Sequence, residues 1–212
     1  MSSICQAMHE LFYGLKRFNF PFDSSRIPLN GIYVLFEVGE KAHNVDRIVR
    51  VGTHTGNNQL PSRLKQHFIN ENKDRSIFRK NIGRVILTNS QDSFIDLWNL
   101  DLTTRKAKEE HRDLVDFDRQ QAVERQITRY IQSHFSFVVF QVNEGEKRLV
   151  LESKIISTIS RCDSCRPSEN WLGLNSPKPK IRESGLWLVN ELYKKPLSET
   201  EFEDMKKLIL AD

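Results

Sequence analysis

Over residues 31–38 the chain alternates. Ile32, Val34, Phe36 and Val38 fall on one face, and Tyr33, Leu35 and Glu37 on the other. A two-residue period predicts a strand. Residues 47–53 predict a second strand, and the polar stretch 39–46 predicts a long turn, so the pair reads as a hairpin. Residues 60–70 change to a helical period, with Leu60, Leu64 and Phe68 one turn apart and Pro61 in the first turn. An amphipathic helix is predicted over 2–16. Pro21 and Pro28 mark 18–30 as an extended connection.

The later pattern predicts a strand at 84–88, a helix at 122–134, a strand at 135–142 and a helix at 147–160. Residues 162–180 hold Pro167, Pro177 and Pro179 and read as a loop, followed by a short helix over 185–192. Ser198-Glu199-Thr200-Glu201 fits a capping box that opens a last helix. Mixed strands and helices place the chain in the α+β class, with a small central mixed or antiparallel sheet flanked by helices.

Composition narrows the choices. The 212 residues are 38% hydrophobic and 28% charged, ordinary for a globular chain. No run approaches the roughly 20 apolar residues of a membrane span, and the N-terminus does not resemble a secretory signal. An odd cysteine count, Cys5, Cys162 and Cys165, fits a reducing cytoplasm. Cys162-Asp163-Ser164-Cys165 is a lone CxxC; a structural zinc needs two further ligands, so free thiols are expected.

Charge is uneven. The net charge is +4, yet residues 60–84 carry seven bases and two acids. Lys65, Arg75, Arg79, Lys80 and Arg84 make a candidate patch for phosphates; a solvated helix face explains the same run equally well. Residues 105–119 carry five bases and five acids, which cancel, and read as a solvated helical insertion.

Several residues suit phosphodiester cleavage, which needs an activated water and relief of phosphate charge. Tyr33 is a candidate base, or a packed core tyrosine. Arg63 offers a guanidinium fork, with His67 one turn on. Glu152 has Leu149, Ile155, Ile156 and Ile159 at helical spacings around it, so its carboxylate falls on an apolar face and needs a metal, an arginine or a backbone donor. Asn175, in a polar loop, is a candidate to orient phosphate or water. His54 is a spare candidate near the second strand's end.

Gly31-Ile32-Tyr33, the Val51-Gly52 pair and Ser62-Arg63-Leu64-Lys65-Gln66-His67 together resemble the core of the GIY-YIG nuclease superfamily, and more its restriction-endonuclease-like branch than its compact repair branch. The resemblance spans roughly residues 30–190. It implies a DNA endonuclease with Tyr33 as general base and Arg63 as phosphate clamp. It also implies Glu152 as ligand of Mg²⁺ or Mn²⁺, His67 beside Tyr33 or phosphate, and Asn175 as a further polar contact. The nuclease domain would be 31–192 with an insertion near 89–119, between an N-terminal helix and linker at 1–30 and a C-terminal helix at 193–212. DNA is the expected partner, with no membrane and no small-molecule substrate; recognition of a short palindrome would add a homodimer. Arg50 stands where the second motif has a tyrosine, and the gap between motifs is long. Arg50 either marks a decayed, nucleic-acid-binding site or faces Tyr33 across the hairpin and favours its phenolate. An unrelated α+β protein would leave Tyr33, Arg63 and Glu152 apart in space.

Overall fold

The structure, a computed structural model, describes residues 2–211. Met1 and Asp212, the outermost residues of the two terminal spans, lie outside them. Four strands form one antiparallel sheet in the order β1-β4-β2-β3: β1 (Phe18–Asn19), β2 (Gly31–Ala42), β3 (Val45–Gly52) and β4 (Phe135–Gln141). Nine α-helices surround it among the described residues. The chain is therefore α+β, as its pattern predicts.

Two apolar layers sandwich the sheet. Ile32, Val34 and Phe36 of β2 face α1 (Ser2–Tyr13), α7 (Gly145–Ser160) and α9 (Glu199–Leu210), where Met8, Phe12, Ile155, Ile156, Phe202 and Met205 complete one core. Tyr33 and Leu35 face α2 (Leu60–Phe68), α3 (Ile77–Asn89) and α6 (Phe117–His134) in a second core. Both faces of β2 are thus buried. The terminal helices pack into the same core as the sheet, which orders them with it.

The hairpin departs from its predicted form. β2 runs on to Ala42, and its turn is only His43-Asn44, at φ of 52° and 64°. Two left-handed residues match the twist of a tight hairpin. The surplus between the motifs becomes extra strand, with a register shift between Phe36 and Lys41 around Gly39 at φ 89°. That bulge turns Val38 out to solvent.

Other expectations are corrected by long-range packing. Residues 84–88 are not a strand but the end of α3, because Ser76 caps a helix through its side chain to the Arg79 N–H and Ile82 and Val85 fill the second core. The stretch 89–119, expected as a helical insertion, does hold helix: α4 (Ile95–Asn99), α5 (Arg105–Glu110) and the first turn of α6, where Asp116 is the N-cap. The helix expected over 185–192 lies earlier as α8 (Pro179–Ser184), closed by Gly185 at φ 69°.

The Ser198 capping box is formed, with Ser198 and Glu201 each holding the other's backbone N–H. Ser198→Ala is expected to lower stability by about 1 kcal/mol. A urea midpoint that does not move would refute the assignment.

Candidate active site

The site is built where β2, β3, α2 and α7 meet. Tyr33 of β2 pairs with Gly52 of β3, and Leu35 with Arg50. The Tyr33 hydroxyl lies over Gly52; a Cβ there would come within 2.2 Å of the phenol oxygen. Thr53, just past β3, ties the pieces together. Its hydroxyl donates to the Gly31 carbonyl at 2.7 Å, and its N–H donates to Glu152 Oε1 at 3.2 Å.

Behind the surface runs a buried polar chain. The Tyr33 hydroxyl is 2.8 Å from His67 Nε2, and His67 Nδ1 is 2.8 Å from Ser76 Oγ. Burial, then the charges of Arg63, Arg50 and Arg79, hold the His67 pKa well below its usual value. His67 is therefore neutral near pH 7, with one nitrogen able to accept the Tyr33 proton. Arg50 Nε donates to the Tyr33 oxygen at 3.3 Å, and its Nη1 donates to the Trp187 carbonyl. The cation faces Tyr33 directly.

Two adjoining cavities open in front, of about 430 and 330 Å³. Glu152 and Leu149 line both. Arg50 and Asn81 line the first, Arg63 and His54 the second. Burial pushes the Glu152 carboxyl up, while the Arg50 charge and the Thr53 N–H pull it back. Leu149 is half exposed at the rim, so Glu152 stands at the edge of its helix's apolar face, not within it. Arg63 Nη1 is held by Gln66 Oε1 and the Arg75 carbonyl, both at 2.9 Å. Burial and the Arg148 charge lower the His54 pKa, which keeps that ring neutral.

Glu152 thus stands between Arg50 in one cavity and Arg63 in the other. Tyr33 and His67 lie behind them, fully buried and outside the residues that line either cavity. Asn175 is not part of the site: it is exposed at the end of the turn Leu172–Asn175 and lines neither cavity. Asn81 instead lines the first cavity. Its amide nitrogen is buried without a hydrogen-bond partner, while its oxygen accepts from Arg84 at 2.7 Å. A buried NH₂ left unpaired is costly and readily takes an acceptor. Asn81 lies on α3, ahead of the segment 84–88 whose pattern imitates a strand.

The expected basic patch is mostly internal. Arg79 is buried, paired with Glu124 at 2.6 Å and bonded to the His67 carbonyl at 3.0 Å. Lys80 holds Asp74 and the Leu100 carbonyl. Arg84 holds Asn99 at 2.7 Å. These cations tie α3 to α4 and α6 and are not available to phosphates; Lys65 and Arg75 are exposed.

The family model described as GIY-YIG domain matches residues 3–211. The chain belongs to the GIY-YIG family. No curated protein and no solved structure matches it. A GIY-YIG domain is a nuclease-type fold, and nucleases of this family generally use divalent metals. The donor set fits such an ion. Glu152 keeps one oxygen on Thr53, and the other makes no hydrogen bond among the described residues. Hard divalent cations often take one or two carboxylates with the rest from water and phosphate. Among the described residues no helix is long and apolar enough to cross a membrane.

Proposed function

We propose that this GIY-YIG protein is a metal-dependent DNA endonuclease, of restriction type, acting in the cytoplasm. The observation that carries the reading is Glu152, an underpaired carboxylate at the wall shared by two cavities whose other walls hold Arg50 and Arg63. Glu152 would hold Mg²⁺ or Mn²⁺. When bound, that ion supplies Lewis-acid relief of charge on the phosphate and the leaving oxygen.

The chain's own residues do the rest. Arg63 clamps the phosphate through a fork already oriented by Gln66 and the Arg75 carbonyl. Asn81 donates its free amide to a phosphate oxygen or water. Lys65 and Arg75, exposed, contact the flanking backbone. Arg50 covers the Tyr33 oxygen at rest; an entering phosphate draws the guanidinium forward and uncovers it. Tyr33 then takes a proton from the attacking water while its own proton passes to neutral His67 over the 2.8 Å bond. Reading a short palindrome would call for two copies of the chain.

One observation favours a second reading. Tyr33 is fully buried beneath Arg50, as expected of a nucleic-acid-binding protein whose site has decayed. Supercoiled plasmid separates the two. Nicking with Mg²⁺ or Mn²⁺ that stops on chelation supports the enzyme; retention of DNA without nicking supports the module. Arg50→Met is expected to slow nicking about tenfold or more and to alter the alkaline side of its pH profile. An unchanged alkaline limb would remove Arg50 from the reaction.

A further inference from the structure

Outside the residues that line the two cavities, one more group of reactive side chains converges. Cys5 and His9 stand one turn apart on α1. His43 is the first residue of the β2–β3 turn, and Cys165 ends the short turn Asp163–Cys165 after α7. Their ligand atoms all lie within 4.8 Å of one another. Cys5 Sγ is 3.5 Å from Cys165 Sγ, and Cys165 Sγ is 3.4 Å from His43 Nε2 and 3.9 Å from His9 Nε2. Tetrahedral zinc with bonds of about 2.0–2.3 Å sets its donors about 3.3–3.8 Å apart. The cluster is already near that size.

We propose that Cys5, His9, His43 and Cys165 bind a structural Zn²⁺.

Two further observations support it. His9 Nδ1 meets the Cys5 carbonyl at 2.9 Å. A proton donated there fixes the tautomer and leaves Nε2 as the acceptor, the usual second contact of a metal-bound histidine; that Nε2 takes the Ile48 N–H at 3.3 Å, a bond the metal would replace. His43 reaches the cluster from the hairpin tip, its ring centroid 5.0 Å from that of His9. Two thiolates with two imidazoles favour zinc among common ions. Three of the four residues are buried and His43 half-buried, so the site is closed, as structural zinc sites are. Zinc would fasten α1 and the loop after α7 to the hairpin tip. Cys162, 3.5 Å from His43 Nε2, stands at the rim.

The test is metal analysis of the full chain, purified under reduction without chelator. About one Zn²⁺ per chain is expected, lost in Cys5→Ser and Cys165→Ser and kept in Cys162→Ser. Glu152→Gln should also keep it, which separates this ion from any metal at the nuclease opening. Should the cysteine variants fail to fold, the wild-type protein decides. Co²⁺ exchanged for zinc should give thiolate charge-transfer and tetrahedral absorption bands, and stripping the metal should lower Tm. A reduced chain that holds no zinc and takes none up overturns the site, as does a Cys5–Cys165 disulfide in its place. Zinc lost in Cys162→Ser but kept in His9→Ala overturns this donor set.

Discussion

Glu152→Gln is expected to lose metal-dependent cleavage by at least about a hundredfold while the folded protein becomes no less stable. The two effects have one cause. Burial makes the Glu152 carboxylate costly, and the Arg50 charge and Thr53 N–H only partly offset that cost. The folded pKa lies above the unfolded one, so the folded state holds the proton more tightly. Glu152 then favours folding most at acid pH, and that contribution is lost as pH rises through the folded pKa. At neutral pH the ionised side chain is a burden on the fold. Glutamine removes the charge and still accepts the Thr53 N–H, so a gain of up to about 1 kcal/mol is expected. Nicking rates in Mg²⁺ and urea melts at pH 7 measure both. A variant that cuts at the wild-type rate removes Glu152 from the chemistry; one that melts well below wild type shows the carboxylate to be structural. In the wild type, cleavage should fall as acid protonates Glu152.

His67 responds to acid in the opposite sense. Its folded pKa is depressed, so its stabilising effect is present above the unfolded value near 6.5 and fades as pH falls below it. Protonation would also remove the acceptor that Tyr33 uses. Acid therefore threatens cleavage from both sides of the site, through Glu152 at the opening and His67 behind it.

Local pattern carried much of this far. The alternation of Ile32, Val34 and Phe36, the stripe Leu60-Leu64-Phe68 and the Ser198 box are short-range signals, and the structure uses each as expected. Val85-Ile86-Leu87-Thr88 misled because a β-branched run with no visible cap imitates a strand; the Ser76 cap and the Arg79–Glu124 pair across 45 residues decide for helix. The same pair turned an apparent DNA patch inward, since charge counts along a chain cannot say which cations have partners. Asn81 lines the first cavity and Asn175 neither, which follows from where α3 and the turn Leu172–Asn175 pack. Only Cys165 of the CxxC joins the cluster, and its neighbours there, Cys5, His9 and His43, lie more than a hundred residues upstream, beyond the reach of any local pattern.

Gly52→Ala is expected to destabilise the protein by about 3 kcal/mol, which makes the second motif's glycine a requirement of the first motif's tyrosine. An alanine Cβ would sit 2.2 Å from the Tyr33 oxygen, 2.4 Å from Cζ and 2.9 Å from Cε1. The ring has nowhere to retreat: Tyr33 is fully buried and held by His67 and Arg50. Tyr33→Ala should cost about 3–5 kcal/mol by itself, through the cavity it leaves. In the double variant the clash is gone, so Gly52→Ala should then add little, a strongly non-additive pair. Urea unfolding of the two single variants and the double measures the coupling. Additive losses, or a Gly52→Ala protein within about 0.5 kcal/mol of wild type, would mean that the close approach is not what this glycine serves. If the coupling is found, it explains how the hairpin tolerates Arg50 in place of the motif's tyrosine. The backbone pairing of Tyr33 with Gly52 sets the geometry, and the side chain two residues earlier is free to change its chemistry from phenol to cation.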